Sequence, residues 1–118
     1  MNKRNFYIYQ EDLIRYEVSQ KPLTISQLVE DLNKKYGQEN MKKLRTDIIT
    51  NYLNVMGYLV VDNKNRKRPT QKGRLLGIEV GCITDKEGKE HEVNLYNERA
   101  QKYILDNLYE MIGYFISV

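Results

Sequence analysis

Over residues 62–76 the sequence sets six cations, Lys64, Arg66, Lys67, Arg68, Lys72 and Arg74, against one acid, Asp62. That is a local charge of +5 in a chain whose net charge is +3, so the remainder is slightly acidic. Guanidinium and ammonium groups at this density suit a nucleic-acid backbone, which they hold without reading sequence. A solvated loop kept soluble by its charges is the plain alternative. A second group, Lys42, Lys43, Arg45, Thr46 and Asn51, falls in what reads as a helix over residues 41–56. Cations in the first half of a helix, with Thr46 and Asn51 placed to meet bases, suit insertion into a groove of duplex DNA. The plain alternative for this group is a surface helix decorated with charge, and Asp47 in its midst would repel phosphate.

Residues for covalent or metal chemistry are few. His91 is the single histidine and Cys82 the single cysteine, so a four-ligand zinc site would depend on carboxylates. His91 lacks a nucleophile motif and reads as structural filler. Cys82 reads as a small buried hydrophobe. Gly73-Arg74-Leu75-Leu76-Gly77 lacks the GK[ST] ending of a phosphate-binding loop. Glu87, Glu90 and Glu92 sit on a hairpin with no dry pocket to tune them. No enzyme, metal or cofactor is expected. The ten tyrosines are spread along the chain, and the hairpin over 78–95 offers none as a platform for single-stranded bases.

The elements that must carry these side chains follow from periodicity. The length suits one domain over 1–118. Residues 1–20 fit neither period cleanly and read as an N-terminal extension, with a short helix over 9–16. Thr24 and Gln27 form a capping box. Ile25, Leu28, Val29, Leu32 and Tyr36 follow as one buried helical stripe, closed by Gly37 as a left-handed cap. Gln38-Glu39-Asn40 then links tightly to the helix 41–56, whose stripe is Met41, Leu44, Ile48, Tyr52 and Val55. The pair matches a helix-turn-helix.

Gly57 caps that helix, 58–61 is a strand, 62–65 is an Asx turn and 64–74 is a basic loop. Thr70 caps a short helical turn from which Leu75 and Leu76 dip into the core. Residues 78–84 and 90–95 form a β-hairpin. Asn97 caps a final helix over 98–115 with Ala100 and Ile104 on its stripe. That helix is apolar enough to bury two faces, and one would pair two copies through Tyr103, Leu108, Met111, Ile112 and Phe115. The expected fold class is α+β, winged-helix-like, with the hairpin as the wing. The lone cysteine fits a reducing cytoplasm, and no apolar run is long enough for a membrane.

Gly57-Tyr58-Leu59, Pro69-Thr70, Gly73, Leu76-Gly77-Ile78 and Gln101 carry a resemblance over residues 24–108. The chain resembles the C-terminal domain of phage antirepressors of the KilA-C type. A Gly-Lys-Gly-Gln-like element opens the last helix in that family, and Glu98-Arg99-Ala100-Gln101 stands there in this chain, without the glycines. The resemblance implies a winged-helix-like fold and a phage or mobile-element setting. It transfers no catalytic residue, and the family's N-terminal DNA-binding part has no counterpart expected here. Two functions follow as expectations. One is a regulator that binds duplex DNA. The other is a protein-interaction module, such as an anti-CRISPR-type inhibitor or an antirepressor accessory.

Overall fold

Phe6 and Ile8 are buried while Asn5, Tyr7 and Tyr9 face outward, so the chain enters the fold as an extended edge of the core. The segment read as an extension is therefore structural. The computed structural model describes residues 3–116, with side chains through Tyr114. Among these residues the chain is α+β, with six helices and two antiparallel hairpins around one core. No helix among them is long and apolar enough to cross a membrane.

The first helix, α1 (Gln10–Arg15), falls where the sequence placed it. In α2 (Ile25–Tyr36) both capping-box bonds form: the Gln27 N–H donates to the Thr24 hydroxyl, and the Thr24 N–H donates to the Gln27 side chain. Leu28, Val29 and Leu32 are buried as the stripe requires. Gly37 is not left-handed; at φ −64° and ψ 141° the chain leaves the helix extended.

The tight link and the long second helix are also corrected. Residues 37–45 are not helical, and α3 spans only Thr46–Val55. Two sets of bonds hold the intervening backbone. The Arg4 N–H donates to the Asn40 carbonyl and the Lys42 N–H to the Arg4 carbonyl, both at 2.7 Å. The Asn33 side chain brackets Leu44, donating to its carbonyl at 3.0 Å and accepting its N–H at 2.8 Å. Backbone groups that a helix would use are thus satisfied elsewhere. Met41 and Leu44 still reach the core.

Gly57 follows α3 in the left-handed region, at φ 85°. β1 (Leu59–Val61) pairs antiparallel with β2 (Lys67–Pro69), with Leu59 opposite Pro69. Part of the expected basic loop is therefore a strand. Thr70 caps α4 (Gln71–Leu76), its hydroxyl accepting the Gly73 N–H at 3.1 Å. Leu76 is half-buried, but Leu75 is 69% exposed, because this short helix turns Gly73 inward and Leu75 out.

β3 (Ile78–Thr84) and β4 (Glu90–Tyr96) form the expected hairpin, with Ile78 opposite Tyr96. Only its base is buried, at those two residues. The arms project toward solvent, so Cys82 is exposed rather than a core residue. His91 pairs with Asp85, 2.7 Å from Nε2 to Oδ2.

The final helix is two helices, α5 (Glu98–Asp106) and α6 (Leu108–Ile116). Asn97 caps α5 as expected, accepting the Ala100 N–H at 3.0 Å. At the join, Asn107 takes φ −111° and ψ 10°, and its side-chain amide donates to the Tyr103 carbonyl at 2.8 Å. The break redirects α6 onto α3. Leu108 and Met111 are fully buried in this chain's own core, and Tyr103 and Ile112 are half-buried. Burial of a leucine side chain contributes roughly 2 kcal/mol to folding. Leu108 and Met111 thus serve the fold and present no surface to a second copy. Phe115, also expected on a dimer face, lies outside the described side chains.

Gln101 joins the two ends of the chain. It is fully buried, accepts the Ser19 N–H at 2.8 Å, and donates to the carbonyls of Lys21 at 3.1 Å and Tyr96 at 2.9 Å. Leu23 and Tyr96 exchange backbone bonds beside it, at 3.0 and 2.8 Å.

Candidate nucleic-acid interface

Asp62 shapes the tip between β1 and β2. Its Oδ1 accepts the N–H groups of Lys64 and Arg66, both at 2.9 Å, and its Oδ2 accepts Arg66 Nε at 3.1 Å. Asn65 takes φ 62°, a left-handed conformation that asparagine tolerates. These bonds, the Arg66 N–H foremost, hold the Asp62 carboxyl below its ordinary range. A lowered acid contributes stability that is present above the unfolded value, near 3.9, and is lost as pH falls through the lower folded value. The tip is expected to loosen below about pH 4, seen as reduced amide protection factors at Lys64 and Arg66. Protection that stays constant well below that pH would contradict the role given to Asp62.

Most of the dense cation run is turned inward. Lys67 Nζ reaches α3, lying 2.5 Å from Asn51 Oδ1 and 3.4 Å from Thr50 Oγ1. Arg68 donates through Nη1 to Asn94 Oδ1 at 3.2 Å, while the Asn94 amide donates to the Lys67 carbonyl at 2.9 Å. Arg68 therefore fastens one hairpin to the other. Arg66 pairs with Asp62 and lies 3.9 Å from Glu92 Oε1. Lys72 Nζ donates to the Met56 carbonyl at 2.8 Å and sits 4.4 Å from the centre of the Tyr58 ring. A cation there is favoured by the α3 dipole and by the ring face. Lys64 and Arg74 differ. Both are exposed, and their charged ends have no hydrogen bond or ion pair among the described residues.

Lys42, Lys43 and Arg45 do not lie on α3 but on the extended segment ahead of it. With Asn5, Phe6, Ile48 and Ile112 they line an open cleft of about 240 Å³. The Lys42 and Lys43 ammonium groups are exposed and without partners among the described residues. Arg45 grips Asp47 with two bonds, Nε to Oδ1 at 2.9 Å and a shorter one from Nη2 to Oδ2. The Arg45 bond lowers the Asp47 carboxyl, and Asp47 in turn raises Arg45. Asp47 is thus offset by its neighbour. Thr46 is half-buried as the first residue of α3, and Asn51 at mid-helix is engaged by Lys67.

One group was not foreseen from the sequence. Tyr7, Tyr9 and Tyr109 meet at the surface, with Tyr7 centred 5.2 Å from Tyr9 and 6.0 Å from Tyr109. Its signal was the alternation of Tyr7 and Tyr9 with Phe6 and Ile8, too brief to establish a strand period alone. Compared with known proteins, the chain matches no family, no curated protein and no solved structure.

Proposed function

We propose that the chain is a winged-helix-like domain that binds duplex DNA mainly through phosphate contacts, with β3–β4 as the wing and α3 as the helix nearest the DNA. The observation that carries this reading is a group of exposed cations without partners among the described residues that flank the first hairpin and α3: Lys64 and Arg74 around that hairpin, and Lys42 and Lys43 ahead of α3. Such groups are free to displace counterions from phosphates. Arg66, Lys67 and Arg68 build the platform that presents them. With Asn51 held by Lys67, few groups on α3 are left for bases, so binding rests on charge and shape. The antirepressor resemblance supports a regulatory role in a phage or mobile element.

The test is binding of random-sequence duplex across a salt series. Lys64→Ala/Arg74→Ala is expected to weaken binding and reduce the slope of log K against log salt by about 1.8, near 0.9 for each lost phosphate contact. Its melting temperature should match the wild type. Arg66→Ala/Lys67→Ala/Arg68→Ala should lose stability as well as affinity. No duplex binding by the wild type at low salt would overturn the reading.

One observation favours the second class, an interaction module docking on a host nucleoprotein machine. Val60 and Val61 are 50% and 46% exposed on β1, in a sheet of only two strands. Exposed apolar side chains beside unpaired strand edges are a common basis for protein contacts.

A further inference from the structure

The outward side of residues 5–9 continues directly from the basic cleft. Burial of Phe6 and Ile8 sends Asn5, Tyr7 and Tyr9 to the opposite side of the extended segment. Asn5 lines the cleft with Lys42, Lys43 and Arg45. Tyr7 is 51% exposed and Tyr9 is 56% exposed. From Asn5 to Tyr9 the segment covers about 13 Å, at about 3.3 Å per residue. The rings are held in place. Tyr7 and Tyr9 meet edge to face at 88°, and the Tyr109 hydroxyl donates to the Ile8 carbonyl behind them. Edge-to-face packing covers one ring face and leaves others open.

We propose that this row, from the Lys42 and Lys43 cleft to Tyr9, is a binding track for single-stranded nucleic acid. The two ammonium groups take phosphates, and the open faces of Tyr7 and Tyr9 take bases. Exposed rings beside cations that have no partner among the described residues are what a sequence-tolerant single-strand surface requires. Glu11 and Asp12 open α1 just beyond Tyr9 and close the track there by repelling phosphate. The track shares Lys42 and Lys43 with the duplex reading but not Lys64 and Arg74, and its rings, Tyr7 and Tyr9, belong to it alone, so it stands whether or not duplex binding does.

The experiment is fluorescence anisotropy with labelled oligo-thymidylate, oligo-uridylate and a duplex of the same length. Oligo-thymidylate tests a DNA strand and oligo-uridylate an RNA strand, and binding of either supports the track. Tyr7→Ala/Tyr9→Ala should weaken single-strand binding about tenfold or more for each ring while leaving duplex affinity unchanged. Tyr7→Phe/Tyr9→Phe keeps the rings and should bind as the wild type does. Lys42→Ala/Lys43→Ala should flatten the salt dependence of single-strand binding. If the alanine pair lowers the melting temperature, side-chain NMR shifts of Tyr7 and Tyr9 in the wild type, titrated with oligo-thymidylate and oligo-uridylate, decide instead. Failure of the wild type to bind either single strand, undiminished binding by a folded alanine pair, or unmoved tyrosine signals would overturn the proposal. Loss of duplex binding in Lys64→Ala/Arg74→Ala bears only on the duplex reading.

Discussion

Gly77→Ala is expected to lower the unfolding free energy by about 2–3 kcal/mol and the melting temperature by roughly 10 °C. Gly77 ends α4 at φ 118° and ψ 24°, a left-handed conformation in which a side chain costs about 1–2 kcal/mol. A Cβ there would also lie 2.0 Å from Asn97 Oδ1. Asn97 is the cap of α5, and its own N–H donates to the Gly77 carbonyl at 3.0 Å. The alanine therefore strains one helix end and evicts the cap of the next helix, adding about 1 kcal/mol. The two sites share a mechanism, so Gly77→Ala and Asn97→Ala should combine to less than the sum of their separate effects. Urea melts of both single variants and the double variant check this. Strict additivity would reject cap eviction, and a wild-type midpoint for Gly77→Ala would reject the strain as well.

Gln101→Leu is expected to cost about 3 kcal/mol, although it nearly preserves volume. The leucine removes three hydrogen bonds, to the half-buried Ser19 N–H and to the Lys21 and Tyr96 carbonyls. Each such bond contributes about 1 kcal/mol net. Loss of protection at the Ser19 amide should accompany the change in midpoint. A loss below about 1 kcal/mol would mean that residues 19–21 are held chiefly by other contacts, such as the Leu23 bridge to Tyr96.

These two residues also show which parts of the fold the sequence discloses. Thr24, Thr70 and Asn97 cap their helices by bonds to residues three positions away, so their signal is complete in a short window. The β3–β4 hairpin is legible for the same reason. The errors arise where a distant partner decides the outcome. Residues 41–45 carry helical spacing, yet Arg4 and Asn33 take their backbone groups. Lys67–Pro69 is polar and ends in proline, so it becomes a strand only through pairing with Leu59–Val61. Cys82 alternates like a core residue, but nothing packs over its hairpin arm deeply enough to bury it.

The candidate site divides in the same way. Its cations are plain in the sequence, but their freedom is not. Lys67 meets Asn51 and Arg68 meets Asn94 across intervals that no local pattern spans. The densest run is therefore mostly scaffold, and the sparser Lys42, Lys43, Lys64 and Arg74 remain available. Exposure of Tyr7 and Tyr9 likewise depends on which side of residues 3–9 the rest of the core covers.

The bond from Tyr109 to Ile8 and the Gln101 cluster have a bearing on the order of synthesis. Phe6 and Ile8 leave the ribosome well before α5 and α6, which help to enclose the core. A growing chain carries those apolar groups uncovered until α5 and α6 have emerged. Contacts this remote in sequence slow folding and prolong exposure to aggregation. A chain stopped short of Gln101 would retain α2, α3 and both hairpins but lack the Gln101 bonds to Ser19 and Lys21, so the emergence of α5 is the event that permits closure.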